Sequence, residues 1–193
     1  MIIDCISDLH GYYPKLEGGD LLIVAGDLTA KHTEKEWHEF ATWMNDQKYE
    51  KIIFIAGNHD TMIEKWDHEQ DAEGYKGPVS DPNDRIEYLC DSGTEFEGLK
   101  LWGSPWSLWF PGINPKCTAF TGNEDQLMDA YDKIPRDIDI LITHTPAYGI
   151  LDECTNGHQV GSKSLYGWLK YIGRPRLHIC GHIHEAYGQD EVF

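Results

Sequence analysis

Five short motifs rich in aspartate and histidine constrain this chain most, because each follows an apolar run of the length of a β-strand. In chain order they are Asp8-Leu9-His10, Gly26-Asp27, Gly57-Asn58-His59-Asp60, His144 and Gly181-His182-Ile183-His184. Strand ends are rigid, and the loops that follow them project side chains into a shared crevice. Carboxylates and imidazoles that meet there are ligands for divalent metals. The five motifs together therefore predict a hydrolytic site for two metal ions.

The apolar runs before these motifs are typical of strands that are covered on both faces of a sheet. The runs are residues 1–6, 21–25, 52–56, 138–143 and 177–180. Further strands are expected at 86–89 and in a hairpin over 95–102 that turns at Glu97-Gly98. Alternating strands and helices indicate an α/β architecture with mixed sheets and helices outside. With no repeat, linker or low-complexity segment, residues 1–193 are interpreted as one domain.

Helices are predicted in the segments between the strands. Thr33 and Glu36 form the pattern of a capping box, and apolar residues follow at helical spacing. Two more helices are expected over 125–134 and 162–171, and a short helix followed by an irregular loop over 64–84. The segment 104–122 is interpreted as a loop.

The charge of the chain limits its partners. The formal net charge is −17, from 16 basic and 33 acidic residues. Binding a long polyanion requires many Lys and Arg side chains against the phosphates. The sequence therefore argues against a partner such as duplex DNA, but not against a small phosphodiester that meets metal ions directly. The oligomeric state stays open.

The cysteines and the apolar runs indicate a cytoplasmic setting. The chain has five cysteines, an odd number, and they are widely scattered: Cys5, Cys90, Cys117, Cys154 and Cys180. This pattern favours a reducing compartment. Cys5 and Cys180 fall in predicted buried strands, where cysteine behaves as a small apolar residue. No apolar run approaches the roughly 20 residues of a membrane span. No signal peptide is expected, since the chain begins directly with a strand.

The order D-x-H, G-D, G-N-H-D, H and G-H-x-H resembles that of the calcineurin-like metallophosphoesterases over nearly the whole chain. Two further stretches, Gly103–Trp106 and Gly157–Gly188, are similar to a narrower branch, the metallophosphoesterase domain-containing (MPPED-type) phosphodiesterases. The resemblance implies a four-layer α/β/β/α sandwich, two mixed sheets flanked by helices, with metals at one edge. Relatives usually continue past G-H-x-H with another strand or two. We therefore expect the second sheet to be one element short or to be completed by another segment.

The resemblance also implies roles for individual residues. Asp27, which stands alone at its strand end, is the candidate for the carboxylate that bridges the metal pair. With it, Asp8, His10 and His184 are expected to hold one metal, and Asn58, His144 and His182 the other. His59 is expected to face the leaving group as a general acid or a cationic stabiliser, with Asp60 orienting its ring. Two divalent cations are implied; Mn is expected, and Fe, Zn, Ni or Co would also suit these ligands.

Taken singly, several of these residues have ordinary explanations. Asp8 and Asp27 could be turn residues or helix caps, and Asn58 a turn residue in a left-handed conformation. Only their combination favours a metal site. Among the other histidines, His32, His38 and His68 are predicted on the surface and His178 in a structural role.

Two features outside the motifs have no settled role in the sequence. His158 could reach the substrate from its loop or be a surface residue. Trp106, Trp109 and Phe110 could stack a nucleobase, or pack against the sheet edge or a partner subunit.

Four functions fit some or all of these features. The leading one is a metal-dependent phosphodiesterase for small diesters such as nucleoside 2′,3′-cyclic phosphates, using in-line attack by a metal-bridging hydroxide. A phosphomonoesterase such as a protein phosphatase is disfavoured, because those enzymes follow G-D with Asp-Arg-Gly and here Leu28-Thr29-Ala30 follows. The net charge disfavours a DNA repair nuclease. A metal-binding interaction module on the same fold is the fourth, although such scaffolds generally lose ligands.

Overall fold

A computed structural model describes residues 1–69, 79, 81–112 and 115–192. The strands are β1 Ile3–Ile6, β2 Gly19–Ala25, β3 Tyr49–Ile55, β4 Ile86–Tyr88, β5 Ser92–Phe96, β6 Leu99–Ser104, β7 Ser107–Leu108, β8 Thr121–Gly122, β9 Ile140–Thr143 and β10 Leu177–Ile179. The helices are α1 Glu34–Asn45, α2 Thr61–Glu69, α3 Glu124–Tyr131 and α4 Lys163–Tyr171, with a 3₁₀ turn at His184–Ala186. Among the described residues, no helix is long and apolar enough to cross a membrane.

The strands form two four-stranded sheets. The first has the order β1-β2-β3-β4 and is parallel throughout. The second has the order β10-β9-β6-β5, in which only β5 runs antiparallel, to β6. All five motifs follow the carboxyl ends of parallel strands, namely β1, β2, β3, β9 and β10. Parallel strands place their carboxyl ends at the same edge of a sheet, so the motifs can meet.

Alternating side chains of each strand face different layers, because successive residues of a strand point to opposite faces. Leu21 and Ile23 of β2 face the second sheet and pack with Ile140 and Ile142 of β9. Leu22, the residue between them, packs on the opposite face with the helices α1 and α2. On the outside of the second sheet, α3 and α4 cover β9 through a third apolar cluster. The layers are α/β/β/α, as the resemblance implied.

The helix α1 shows how local sequence and packing agree. Thr33 and Glu36 form the predicted capping box, with both reciprocal hydrogen bonds present. Phe40 and Met44 on its inner face are fully buried against the first sheet. Truncating such a buried aromatic residue typically costs about 3–5 kcal/mol. Packing against the first sheet therefore holds α1 in place.

Other elements differ from the sequence prediction in detail. The hairpin turn at Glu97 and Gly98 is present, with both residues at positive φ, as a tight hairpin turn requires. The helix expected over 125–134 ends earlier, at Tyr131. The segment predicted as a loop contains two short paired strands, β7 and β8. Residues 70–78 and 80 of the expected irregular loop lie outside the described residues.

The prediction that Cys5 is buried is wrong, because its strand β1 is the edge strand of the first sheet and Cys5 is exposed. Cys180 is half-buried, and all five cysteines are free thiols. Residues at a sheet edge lose the cover of a neighbouring strand on one side, which sequence apolarity alone does not reveal.

Candidate metal centre

The strand-end turns hold their ligand residues in unusual backbone conformations. Asp8, His10, Asp27 and His182 all have positive φ, between 44° and 74°. Residues other than glycine rarely adopt a positive φ. Those that do are often found at functional sites. The turns also brace one another, since the amide of Asp8 donates to the carbonyl of Gly26 at 3.0 Å. These turns therefore form one rigid unit at the sheet edge.

Two glycines allow the turns to approach closely. A Cβ atom on Gly57 would collide with the Asp27 carboxylate and with the ring of His144. Gly26 has a φ of +90°, and a side chain there would meet the same histidine ring. Glycine is therefore required at both positions for the ligand side chains to converge.

The first group of ligands consists of Asp8, His10 and His184. Their ligand atoms lie within 4.8 Å of one another. The Nε2 atoms of His10 and His184 are 3.2 Å apart, and Nε2 of His184 is 3.4 Å from Oδ1 of Asp8. Oδ2 of Asp27 lies 3.7 Å from Nε2 of His10 and adds a fourth ligand atom.

The second group consists of Asn58, His144 and His182. Oδ1 of Asn58 lies 3.0 Å from Nε2 of His144 and 2.9 Å from Nδ1 of His182. Oδ1 of Asp27 lies 3.3 Å from Nε2 of His144. The other ring nitrogen of His144, Nδ1, faces the carbonyl of Ala25 at 3.0 Å, which orients the ring with Nε2 towards the group.

The spacing of these atoms fits two metal ions. At a metal–ligand distance of about 2.1 Å, neighbouring ligands of an octahedral ion are about 3.0 Å apart. The contacts of 2.9 to 3.4 Å within the two groups are close to that spacing. The two oxygens of Asp27 face different groups, which suits a bridging carboxylate. The structure thus brings together all seven predicted ligands: Asp8, His10, Asp27, Asn58, His144, His182 and His184.

The electrostatics of the second group favour a cation beside Asp27. Burial alone would raise the pKa of Asp27, but the neighbouring charge and hydrogen bond of His144 hold it well below its usual range. Burial would likewise lower the pKa of His144, but the Asp27 carboxylate raises it to about 9. Burial and the charge of His144 lower the pKa of His182 to about 4. One positive charge is therefore favoured next to Asp27, and a metal ion can take the place of that proton.

His59 lies beside the metal ligands, with its ring nitrogen Nε2 4.0 Å from Oδ2 of Asp27. Its ring meets the ring of His10 edge-on, with centroids 4.6 Å apart. The side chain is 21% exposed, so a ligand in solution can reach it. The position suits a group that faces the leaving oxygen, and the general-acid role stays a prediction.

The predicted pairing of Asp60 with the ring of His59 is wrong. The buried carboxylate of Asp60 instead accepts hydrogen bonds from the backbone amides of Leu28, Thr29 and Gly57 and from the Thr29 hydroxyl. Burial and the charge of Asp27 raise the pKa of Asp60 to about 7, and the backbone donors oppose that shift. Asp60 therefore ties the turn after β3 to the turn that carries Asp27.

His32 is a second correction, because it is not a plain surface residue. Its ring stacks on the ring of His59, with centroids 5.7 Å apart and an interplanar angle of 12°. Cys117 lies on the same side of His59, with Sγ 3.6 Å from Nδ1. Neither residue belongs to a recognisable motif. The sequence signal that could have found His32 is its position in the loop that follows Gly26-Asp27.

The remaining histidines lie apart from the ligands. His38 is exposed on α1, and the side chain of His68 lies outside the described residues. His158 is exposed in its loop, and its contact with a substrate stays a prediction. Nε2 of His178 lies 2.8 Å from the hydroxyl of Thr143, which supports the structural role predicted for it.

Trp106 and Trp109, two of the three aromatic residues without a settled role in the sequence, lie in different surroundings. Trp106 is half-buried, donates to Asp91 at 3.0 Å and packs edge-on against Phe120. That arrangement supports the packing alternative for Trp106. Trp109 is 54% exposed, so nucleobase stacking stays open for it.

Comparison with known proteins gives results that match this geometry. A family model described as calcineurin-like phosphoesterase matches residues 1–186. The human metallophosphoesterase domain-containing protein 1 is 35% identical over 205 residues, covering 95% of this chain and 60% of the human protein. A UPF0046 protein of Caenorhabditis elegans is 32% identical over 210 residues, covering 95% of this chain and 51% of the relative. The chain thus spans between 51% and 60% of the length of these two relatives.

A solved structure shows the same fold. The protein TT1561 of Thermus thermophilus superimposes with a TM-score of 0.60 at 15% sequence identity, covering 92% of this chain and 80% of that protein. At such low identity the likeness concerns the fold alone. It agrees with the layered α/β arrangement described above.

Proposed function

This chain belongs to the calcineurin-like phosphoesterase family, and from that premise we propose that it is a metal-dependent phosphodiesterase for small phosphodiesters. Nucleoside 2′,3′-cyclic phosphates are the first substrate class to test. The observation that carries the proposal is the placement of Asp27, whose two oxygens lie 3.7 Å from His10 and 3.3 Å from His144. One carboxylate shared between two ligand groups is what a dinuclear centre requires.

Two divalent cations, with Mn²⁺ as the expected pair, are proposed for this centre. When bound, such a pair polarises phosphate oxygens and supplies a nucleophilic water near neutral pH. Asp8, His10, His184 and Asp27 would hold one ion, and Asp27, Asn58, His144 and His182 the other. Asn58 is neutral, which leaves the pair more positive than another carboxylate would.

The residues of the chain itself have two further tasks in this proposal. His59 lies at the edge of the ligand groups and is partly exposed, so its Nε2 can donate a proton to the leaving oxygen of a bound diester. Asp60 holds the turns that carry Asp27 and His59 at a fixed separation through its backbone hydrogen bonds. Fixed geometry of this kind lowers the entropic part of the barrier.

The preference for a diester follows from the charge around the site. A phosphomonoester dianion is bound well by an arginine clamp, which forms bidentate hydrogen bonds with phosphate. Here the residues after Asp27 are Leu28, Thr29 and Ala30, and the amides of the first two are used by Asp60. A diester carries one negative charge and needs no such clamp.

The proposal also covers the binding partners of the protein and its location in the cell. The net charge of −17 favours small substrates over long nucleic acids. We propose a cytoplasmic protein without a membrane partner, in keeping with five free cysteines. A metal-binding interaction module is the remaining alternative, and the complete ligand set makes it an added role rather than a replacement.

The test compares hydrolysis of bis-p-nitrophenyl phosphate with that of p-nitrophenyl phosphate by the Mn²⁺-loaded protein. We expect a strong preference for the diester, and loss of that activity in Asp27→Ala. His59→Ala should lower it less, because p-nitrophenolate leaves without a proton. Preference for the monoester would replace the proposal with a phosphatase. Metal-dependent turnover of neither reporter, nor of 2′,3′-cyclic nucleotides, would favour the interaction module.

A further inference from the structure

A third group of side chains that could bind a metal lies on the far side of His59 from Asp27. One ring nitrogen each of His32 and His59 and the Sγ atom of Cys117 all lie within 4.8 Å of one another. The thiol faces Nδ1 of His59, whereas Nε2 of the same ring faces Asp27. The proposed phosphodiesterase chemistry uses only Nε2, so neither His32, Cys117 nor Nδ1 of His59 has a role in it.

His32 contains a polar atom that needs an explanation. Its Nδ1 is buried and has no hydrogen-bond partner among the described residues. Leaving a buried polar atom unsatisfied costs about 1–3 kcal/mol, and native structures contain few of them. The ring is nevertheless held in place, stacked almost parallel on His59 at an interplanar angle of 12°. A ligand that is absent from the described contacts would satisfy such an atom.

The chemistry of the group selects a soft cation. Thiolate and imidazole together suit Zn²⁺, whereas Mn²⁺ and Mg²⁺ prefer oxygen-rich sites. With Zn–S of about 2.3 Å and Zn–N of about 2.05 Å, two ligands of a tetrahedral zinc ion are about 3.6 Å apart. The distance from Sγ of Cys117 to Nδ1 of His59 is 3.6 Å. Three protein ligands leave one position for water, as in zinc sites that are open to solvent.

We propose that His32, His59 and Cys117 form a binding site for a soft divalent cation, with Zn²⁺ as its first candidate, and that the bound cation inhibits the enzyme. The inhibition rests on the proposed function, in which His59 donates a proton from Nε2. A cation bound to Nδ1 ties the His59 ring to His32 and Cys117, on the side of the ring away from Asp27. A ring held in this way cannot turn its Nε2 towards the leaving oxygen of a bound diester.

The binding test counts zinc ions per chain after equilibrium dialysis and needs no substrate. Cys117→Ser and His32→Asn should each bind one zinc ion fewer than the wild type. Cys154→Ser is the matched control, since Cys154 is also a half-buried free cysteine but belongs to no ligand group found among the described residues. With Co²⁺ as the probe, the thiolate charge-transfer absorption should be lost in Cys117→Ser and kept in Cys154→Ser.

The inhibition test adds Zn²⁺ to Mn²⁺-loaded protein that is hydrolysing the diester reporter, with each variant scaled to its own activity without zinc. Half-inhibition of Cys117→Ser should need at least about tenfold more zinc than the wild type, as expected when a metal site is weakened. Equal zinc counts in the wild type and both site variants would overturn the site itself. If the variants lose one zinc ion but keep the zinc sensitivity of the wild type, the inhibitory role is overturned. A protein without turnover still gives the zinc count, so failure of the proposed function and failure of the site are separable.

Discussion

The carboxylate of Asp27 and the imidazole of His144 form a buried pair, with Oδ1 of Asp27 3.3 Å from Nε2 of His144. The two residues come from different sheets: Asp27 follows β2 of the first sheet, and His144 follows β9 of the second. The apolar layer between the sheets therefore sets the distance between the two ligands. Folding of the sandwich and assembly of the site are one event.

Asp27→Asn tests the bridging role. An amide is neutral and offers only one oxygen, so it is a far weaker ligand for two positive ions than the carboxylate. We expect turnover to fall at least about a hundredfold, since even residues that only support a ligand commonly cost 10- to 100-fold. Bound metal, measured by elemental analysis, should also fall. Asp129→Asn on the exposed face of α3 is the control, and a bridging role is excluded if both variants keep wild-type metal content and turnover.

His59→Asn tests the general-acid role through the leaving group. p-Nitrophenolate leaves without a proton, whereas an alkoxide needs one, so the variant should lose far more activity on alkyl diesters. We expect a loss of at least about a hundredfold for an alkyl leaving group. The Mn²⁺ content should stay at the wild-type value, because His59 is not among the seven ligands predicted for the metal pair. An equal loss for both leaving groups would show that His59 binds or positions the substrate instead.

Asp60→Ala tests the structural role that the contacts assign to this carboxylate. The change leaves the buried amides of Leu28, Thr29 and Gly57 without their acceptor. We expect the free energy of unfolding to fall by about 2–4 kcal/mol, measured by urea denaturation of metal-free protein. Unchanged stability together with a large loss of turnover would instead restore the sequence prediction, in which Asp60 acts through His59.

The half-buried His178 predicts a dependence of stability on pH. Burial lowers the pKa of His178 to about 4, from an ordinary value of 6.5. Between these pH values the unfolded chain binds more protons than the folded one, so stability should fall as pH drops from 6.5 towards 4. The full effect is about 3 kcal/mol.

His178→Gln removes this titration and keeps a donor for the Thr143 hydroxyl, which itself donates to the carbonyl of Thr145. Urea denaturation of metal-free protein between pH 7 and pH 4.5 should therefore show a flatter profile for the variant. His38→Gln, at an exposed position of α1, should follow the wild type. Parallel profiles for His178→Gln and the wild type would mean that this histidine is solvated or charged in the fold.

The convergence of the seven predicted ligand side chains and the order of the layers could be predicted from the sequence, because both depend on local order along the chain. Each ligand motif directly follows a parallel strand, and parallel strands bring their carboxyl ends together whatever the details of packing. The strand periodicity likewise decides which side chains face the helices and which face the other sheet. For these features, neighbours in the chain carry the information.

The parts that were predicted wrongly depend on contacts between distant segments. Asp60 is adjacent to His59 in the chain, yet its partners at Leu28 and Thr29 lie more than 30 residues earlier. His32 reaches His59 because its loop folds back over the site with a positive φ of 58°. Cys5 is exposed because β1 has only one neighbouring strand. Neither the neighbours of a residue in the chain nor the apolar character of its segment reveals where Asp60, His32 and Cys5 lie.

The most direct test of the central claim is the position of Mn²⁺ in crystals of the protein, located from anomalous scattering. We predict two peaks about 3.5–4 Å apart, with a different oxygen of Asp27 in coordination distance of each. One should be surrounded by Asp8, His10 and His184, and the other by Asn58, His144 and His182. A single peak, or two peaks of which Asp27 contacts only one, would contradict the bridged centre and the reaction proposed from it.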